Sequence, residues 1–388
     1  MATNGVPLPP YTNSWADAAT NIQAAVDAAD ADDMVLVSNG VYITATPVLT
    51  PTSLHSGYTN VSCVYLAKKI TLKSVNGPNV TVIDGNYNAI TARCVTVSYG
   101  ATLDGFTCQN GHSFASQPYA DSYGGGILVY DGIPDGNDDG GIVTNCIVRN
   151  NYGNAGGIMA RTSIGIVANC AIYSNTASSG GGGITADSAV SGSKIENCTI
   201  FDNKTSGGYG GGIGCSSSSL ILRNCLVYRN TATTFGGGVY VNDVTWIRIV
   251  NLDNCTIVSN RASAIGGGMF VTNSNASAFF VCNAIIYYNS SLSDADVSTT
   301  NSFFTNCCMS VTNTLTSGRG NIINEPLFVD TNSANYRLNA NSPCMNTGIN
   351  REWMNGAVDL DGRPRKCYGT VDMGAYETIY DGTIFRFH

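Results

Sequence analysis

Apolar and polar residues alternate along the middle of this chain, and the alternation restarts at an almost fixed interval. Cys146 and Val148, Cys170 and Ile172, Cys198 and Ile200, Cys225 and Val227, and Cys255 and Ile257 each open one such stretch. A period of two marks a strand whose apolar side chains share one face. Each stretch follows an asparagine (Asn145, Asn169, Asn197, Asn224, Asn254) and runs to another before a series of glycines. Beyond the glycines a second strand is expected at 126–129, 183–186, 238–241 and 268–271. Successive cysteines lie 24, 28, 27 and 30 residues apart. A nearly constant period that tolerates insertions marks a solenoid, in which each repeat is one coil and surplus residues bulge as loops.

The pattern predicts an all-β fold, a right-handed parallel β-helix with an N-terminal capping helix and an irregular C-terminal cap. Coils stacked roughly 4.8 Å apart turn equivalent residues into rows. One row is the cysteines, continued by Ala284; another is Asn151, Asn175, Asn203, Asn230, Asn260 and Asn289. Asparagine tolerates left-handed backbone and bonds neighbouring backbone groups, so turn chemistry explains these rows better than a ligand-binding face does. The glycine runs read as sharp corners, because a phosphate-cradling loop would need a following helix. Near the start, Ile22, Ala25, Val26 and Ala29 fall on one helical face, with Thr20 or Asn21 as N-cap, before the strand Met34-Val35-Leu36-Val37. Less regular coils are expected through Cys108, with turn-bounded strands at 83–86 and 103–106. The period is lost after Cys307. The expected division is a cap over 1–33, coils over 34–324 and a closing segment over 325–388 that hides a strand edge.

Composition narrows the partners. Of 388 residues 43% are hydrophobic, enough for a continuous core. The net charge of −8, with 19 basic against 27 acidic residues, excludes a basic stripe for nucleic acid or anionic lipid. It also leaves few cations for a long polyanion cleft. No apolar run approaches the ~20 residues of a membrane span. The opening Met-Ala-Thr-Asn has neither a basic region nor an apolar stretch, so a signal peptide is expected to be absent or trimmed. The fourteen cysteines are expected to be mostly buried small hydrophobes, since thiols in one row do not converge to the ~3.8 Å Cβ separation of a disulfide. Cys344 and Cys367 are the candidates for a pair. Three histidines and scattered cysteines argue against zinc. A monomer is expected.

The Gly-Gly-Gly-Ile runs and the phrases Tyr173-Ser-Asn-Thr, Phe201-Asp-Asn-Lys and Tyr228-Arg-Asn-Thr resemble the repeats of polymorphic outer-membrane proteins and of bacterial right-handed β-helix proteins. Asn21-Ile-Gln-Ala-Ala-Val-Asp-Ala-Ala is similar to their capping helix. Ser342-Pro-Cys-Met-Asn-Thr-Gly, Asp359-Leu-Asp-Gly-Arg-Pro-Arg and Gly369-Thr-Val-Asp-Met-Gly-Ala-Tyr-Glu resemble the closing segment of secreted bacterial β-helix proteins. The resemblance covers most of the chain. It implies a β-helix in an extracellular or cell-surface setting, and leaves lyases, hydrolases, epimerases and adhesins open. No membrane barrel is expected after the repeats.

Chemistry is sought where the copies differ. Counting four or five places from the last glycine of each run gives Asp131, Arg161, Asp187, Ser216, Asn242-Asp243 and Asn273, expected side by side on one face. Asp131, Arg161, Asp187 and Asp243 are the candidate catalytic residues. Paired carboxylates serve as acid and base on a glycosidic bond, and Arg161 would hold a substrate acid or tune a neighbour. The plain alternative is that solvent-facing strand ends carry polar residues. The acidic insertion supplies Asp138 and Asp139 as substrate-binding candidates; they resemble the adjacent aspartates of pectin-type hydrolases, although the accompanying Gly-His-Gly phrase is missing. Calcium at this insertion is a further expectation, without a supporting spacing motif. Arg149 with Tyr123 or Tyr130 would suit a lyase, the tyrosine abstracting a proton α to a uronate. His112 is a weaker base candidate, and Tyr119, Tyr152 and Tyr209 would stack on sugar rings.

Three function classes follow. A secreted polysaccharide-processing enzyme, hydrolase before lyase, accounts for the acidic insertion and for Arg161 in an acidic row. A non-catalytic adhesin or spacer accounts for the regular ladders. An ice-binding face would need a flat threonine array, which the insertions deny.

Overall fold

The regular coils, from the glycines at 124–126 to those at 266–268, are each built on two left-handed turns and one glycine corner. Asn145, Asn169, Asn197, Asn224 and Asn254 adopt φ of 54, 54, 54, 50 and 49°, a conformation that costs asparagine less than other side-chain-bearing residues. The turn sends the next cysteine inward. Its thiol donates to the carbonyl two residues back: Cys146 to Thr144 and Cys170 to Ala168 at 3.1 Å, Cys198 to Glu196 and Cys225 to Arg223 at 3.2 Å. The row stays buried and continues through Ala284 to Cys307, where burial pushes the thiol up to about 12. These cysteines are core residues with an internal acceptor.

The computed structural model describes residues 15–44, 47–51, 59–87, 91–113, 123–130, 140–161, 165–188, 192–243, 249–273, 278–299, 302–310, 318–367 and 369–378. Three sheets of ten strands run the length of the coils. Sheet A begins at Met34–Val37 and ends at Ser302–Thr305, sheet B runs from Gly40–Ile43 to Cys308–Met309, and sheet C from Val48–Pro51 to Val297–Thr299. All ladders within them are parallel except the first pair of sheet C, Val48–Pro51 with Thr59–Leu66. The asparagine–cysteine turn joins A to B; the glycine corner precedes C. A short fourth sheet, from Tyr152–Gly153 to Arg261–Ala262, lies between B and C. Residues such as Val143, Val148, Ile158 and Ala160 point inward and form one continuous core.

The second asparagine row is interior. Asn151 through Asn289 are at most 8% exposed, and each amide donates to the oxygen of the next: 2.9 Å from Asn151 to Asn175, then 3.0 Å at each step to Asn289. Each oxygen also accepts the preceding asparagine's backbone N–H, as between Asn151 and Asn175 at 3.1 Å. The ladder ends on the buried Asp296 carboxylate, 2.9 Å from the Asn289 amide. The left-handed residue at this turn is the preceding one, Asn150, Ser174, Asp202, Arg229, Ser259 or Tyr288. The asparagines are there for amide pairing, a correction to the turn explanation. The glycines are tight for a related reason: a Cβ on Gly183 would meet the Asn203 amide at 2.9 Å and the Gly212 carbonyl at 2.7 Å.

The N-terminal helix, Ile22–Ala28, buries Ile22 and Val26, and the Asn21 side chain accepts the Ala24 N–H. The C-terminal segment lies along the flank of the coils. Its hairpin, Phe328–Asp330 with Asn335–Leu338, packs with Cys344 and Met373 on Leu226, Tyr228, Val258, Ile285 and Cys308, the outward residues of sheet B. The outer amides of the turn row reach across to it: Asn224 to Val358 O, Asn254 to Asp372 O and Asn283 to Ile349 O. Beside them Glu196, Arg223 and Asp253 alternate in charge on sheet A, with Arg351 3.6 Å from Asp253 and Trp353 beneath Arg223. Cys344 and Cys367 are both free thiols, so the expected pair is not formed. Cys344 shares a buried cluster with Cys308 instead.

Candidate functional site

The outer face of sheet C gathers the residues that vary between coils. Ile158 and Ala160 turn into the core, which leaves Met159 and Arg161 outside. Register then sets Tyr130, Arg161, Asp187, Ser216, Asn242 and Thr272 in one row at successive strand ends. Arg161 Nε lies 3.5 Å from Asp187 Oδ2, with side chains 22% and 28% exposed. The guanidinium sits over the Tyr123 ring, 4.5 Å from its centroid. Tyr123 itself leans on Leu128, Tyr130, Ala155 and Met159, so this arginine has a firm aromatic support. Ser188 donates to the other Asp187 oxygen at 3.4 Å.

Two residues earlier on each strand runs a second outward row: Met159, Thr185, Gly214, Tyr240 and Phe270. Burial raises the Tyr240 phenol above its ordinary range. Tyr209 stacks on Tyr240 at 4.7 Å and on Phe235 at 5.6 Å; Phe235 stacks on Phe270 at 4.8 Å. Tyr209 is 41% exposed at the open end of this stack. The surface therefore offers a guanidinium–carboxylate pair, a hydroxyl, an amide and aromatic rings in succession, which is the mix that holds a polar ring compound. The chain leaves sheet C here by connections of unequal length, from Tyr130 to Ile142, Arg161 to Ile166, Asp187 to Ser193 and Asp243 to Ile249. Loops of variable length at a fixed scaffold edge are where function concentrates.

The structure brings Arg161, Asp187, Tyr123 and Tyr130 together and separates others. Tyr130, not Asp131, holds the row position beside Arg161. Asp131, Asp138 and Asp139 lie outside the described residues, and so does Tyr119. Asp243 pairs with Asn273, one place beyond the row position occupied by Asn242. A strict count of four from the last glycine gives the row in every coil; allowing a fifth place admitted Asp131, Asp243 and Asn273. Arg149 belongs to sheet B, where Nε and Nη2 donate to Gln109 Oε1 at 3.0 and 2.8 Å and Nη1 donates to the Tyr173 hydroxyl at 3.2 Å. It therefore does not join Tyr123 or Tyr130, and the base-and-neutraliser pairing built on it fails. His112 packs between Tyr87 and Tyr152, centroids 4.6 and 5.1 Å away, and burial lowers its pKa.

Tyr240, Phe235 and Phe270 were missed. Their signal is in the glycine runs: Tyr209 and Phe235 precede a run, while Tyr240 and Phe270 hold the same place after one. Among the described residues no group of three or more His, Cys, Asp or Glu could hold a metal ion. The calcium expectation rested on the acidic insertion, outside those residues. Among them, too, no helix is long and apolar enough to cross a membrane.

Residues 65–285 match the family model described as the right-handed beta helix region. The chain belongs to that family, and the coils wind right-handed. Comparison with curated proteins finds no match. Among solved structures the chain is similar to the crystal structure of pectate lyase Pel9A, at 16% identity and a TM-score of 0.44, over 91% of this chain and 90% of that one.

Proposed function

We propose that this β-helix protein binds and cleaves a polysaccharide laid across the outer face of sheet C, outside the cell. The observation that carries the reading is the Arg161–Asp187 pair, set on Tyr123 and continued by Ser216, Asn242 and Tyr209 along the outer face of sheet C, with Tyr240 packed beneath Tyr209. Asp187 is the carboxylate placed to exchange a proton with the glycosidic oxygen or with water. Arg161 orients it and meets an acidic group of the substrate. A hydrolytic reaction needs a second carboxylate, and Asp131, directly after Tyr130 in sequence, is the residue proposed for it. The low content of cations, 19 in 388 residues, favours a neutral or sparsely acidic glycan.

A second reading, a lyase, draws on the Arg161 guanidinium over Tyr123. There the arginine would neutralise a uronate carboxylate and the phenol would take the α-proton. One assay separates these. The purified protein is incubated with neutral and acidic polysaccharides while new reducing ends and ultraviolet absorbance are followed. Hydrolysis raises reducing ends alone; elimination raises both. Asp187→Asn is expected to lower turnover at least ~100-fold with substrate binding retained. Binding without cleavage of any glycan would leave the adhesin reading in place and end the catalytic one.

A further inference from the structure

Thirteen of the fourteen cysteines are buried and all are free thiols. The row cysteines leave the same turn of successive coils in one direction, and the thiols of Cys146, Cys170, Cys198 and Cys225 donate to the carbonyl two residues back. Parallel Cβ vectors of that kind do not suit a disulfide, which needs them to converge. Cys308 and Cys344 are arranged differently. Cys308 points outward from the last strand of sheet B, in the same outward row as Leu226 and Ile285. Cys344 belongs to the C-terminal segment packed over that row and shares one buried cluster with Cys308. Facing elements present them to each other.

Each residue is also held in place, Cys308 by its thiol and Cys344 by its backbone. Cys308 Sγ lies 3.1 Å from Asn324 O. The Cys344 N–H donates to Ser342 Oγ at 3.2 Å, and its carbonyl accepts the Met373 N–H at 2.9 Å. We propose that Cys308 and Cys344 are a disulfide site, closed when the chain folds in an oxidising compartment, and that the bond staples the C-terminal segment to the last coil. A low-molecular-weight disulfide is the oxidant. One cysteine thiolate attacks it, forming a mixed disulfide and releasing one small thiol. The second cysteine thiolate then displaces the other small thiol. The protein gives up two protons and two electrons, and the oxidant becomes two thiols. Both residues are buried once folded, so the exchange belongs to folding. The loop closed is roughly 36 residues, long enough for a substantial restriction of the unfolded chain. The proposal stands whether or not the protein cleaves a glycan.

The test is a peptide map. The full chain is unfolded, refolded in a buffer of reduced and oxidised glutathione, alkylated under denaturing conditions and digested without reduction. Mass spectrometry is expected to find one cross-linked peptide, lighter by two hydrogens than its parts, with fragmentation placing the bond on Cys308 and Cys344 and leaving Cys307 alkylated. The oxidised protein should melt higher than the reduced one, and Cys344→Ala should abolish that difference. Recovery of every cysteine in alkylated form would overturn the proposal, as would Cys344 linked to Cys367 or to a row cysteine. Should Cys344→Ala fail to fold, the wild-type map alone decides.

Discussion

A primary amide carries a donor and an acceptor on one rigid group, and the interior asparagines use both ends along the coil axis. Asn203 donates to Asn230 and to Ile172 O, and accepts from the side chain and backbone of Asn175. The surface row is different in kind. Asn197 also bonds its neighbours, at 3.2 Å to Asn169 and 3.0 Å from Asn224, but it does so in contact with water. Removing an interior rung strands several buried polar groups, and removing an outer one costs chiefly the left-handed backbone. Asn203→Ala is therefore expected to destabilise by about 3 kcal/mol, and Asn197→Ala by about 1 kcal/mol. Urea unfolding of both variants checks this. Equal losses would mean that the buried ladder contributes no more than its turn.

At the level of the element, the glycine corner decides how closely coils approach. A Cβ on Gly182 would lie 2.3 Å from the Gly211 carbonyl and 2.8 Å from the Lys204 nitrogen, both backbone atoms that cannot swing aside. Gly182→Ala should shift two coils apart locally and cost roughly 1–3 kcal/mol, read as a lower urea midpoint. An unchanged midpoint would mean that the corner relaxes. Much of this element was legible in the sequence because its rules are local: alternation located the strands of sheets B and C, and the glycine runs located the corners. Two strands of sheet A were expected, Met34–Val37 and the one within 103–106; the later ones, such as Ile142–Thr144 and Ile166–Ala168, are no shorter than the sheet B strands but lie ahead of the asparagine–cysteine phrase and share no recurring phrase of their own. Of the site, Arg161 beside Asp187 followed from counting coils. The displacement of Arg149 to another sheet needed only the observation that it follows Val148 on the cysteine strand.

For the molecule as a whole, the C-terminal segment was the least legible part, because its partners are remote: Asn224 bonds Val358 134 residues away. It resembled a cap by its motifs, yet it covers the outward side of sheet B. Truncation after Asn324 should uncover Leu226, Tyr228, Val258 and Ile285 together. Dye binding to apolar surface and association in light scattering are the expected outcomes; a monodisperse, dye-silent truncation would show that the flank tolerates water.

The docking of that segment should also depend on pH, through a carboxyl that the fold has sealed in. Glu377 is 3% exposed. Its Oε1 lies 3.2 Å from Arg365 Nη2, both its oxygens accept the Asp372 N–H at 3.2 Å, and its own N–H donates to Asp359. Burial pushes the carboxyl up to about 8, an effect the Arg365 charge only partly offsets, and Asp372 is raised for the same reason. Below about 4.5, the ordinary value, folded and unfolded chains both carry the proton and pH has no hold on this group. From there to about 8 the unfolded chain ionises while the folded one does not, so stability falls as pH rises. The loss across that window is on the order of a few kcal/mol. Melting followed across the window should therefore decline with pH, and hydrogen exchange should show protection of 325–378 declining in step. Glu377→Gln replaces the protonated carboxyl of the folded chain with a neutral amide and removes the ionisation of the unfolded one, so the decline between about 4.5 and 8 should flatten, and the slope rather than the absolute value carries the test. A slope unaltered in that variant would place the pH dependence on Asp372 or elsewhere, and the sealed glutamate would have no part in how the segment is held.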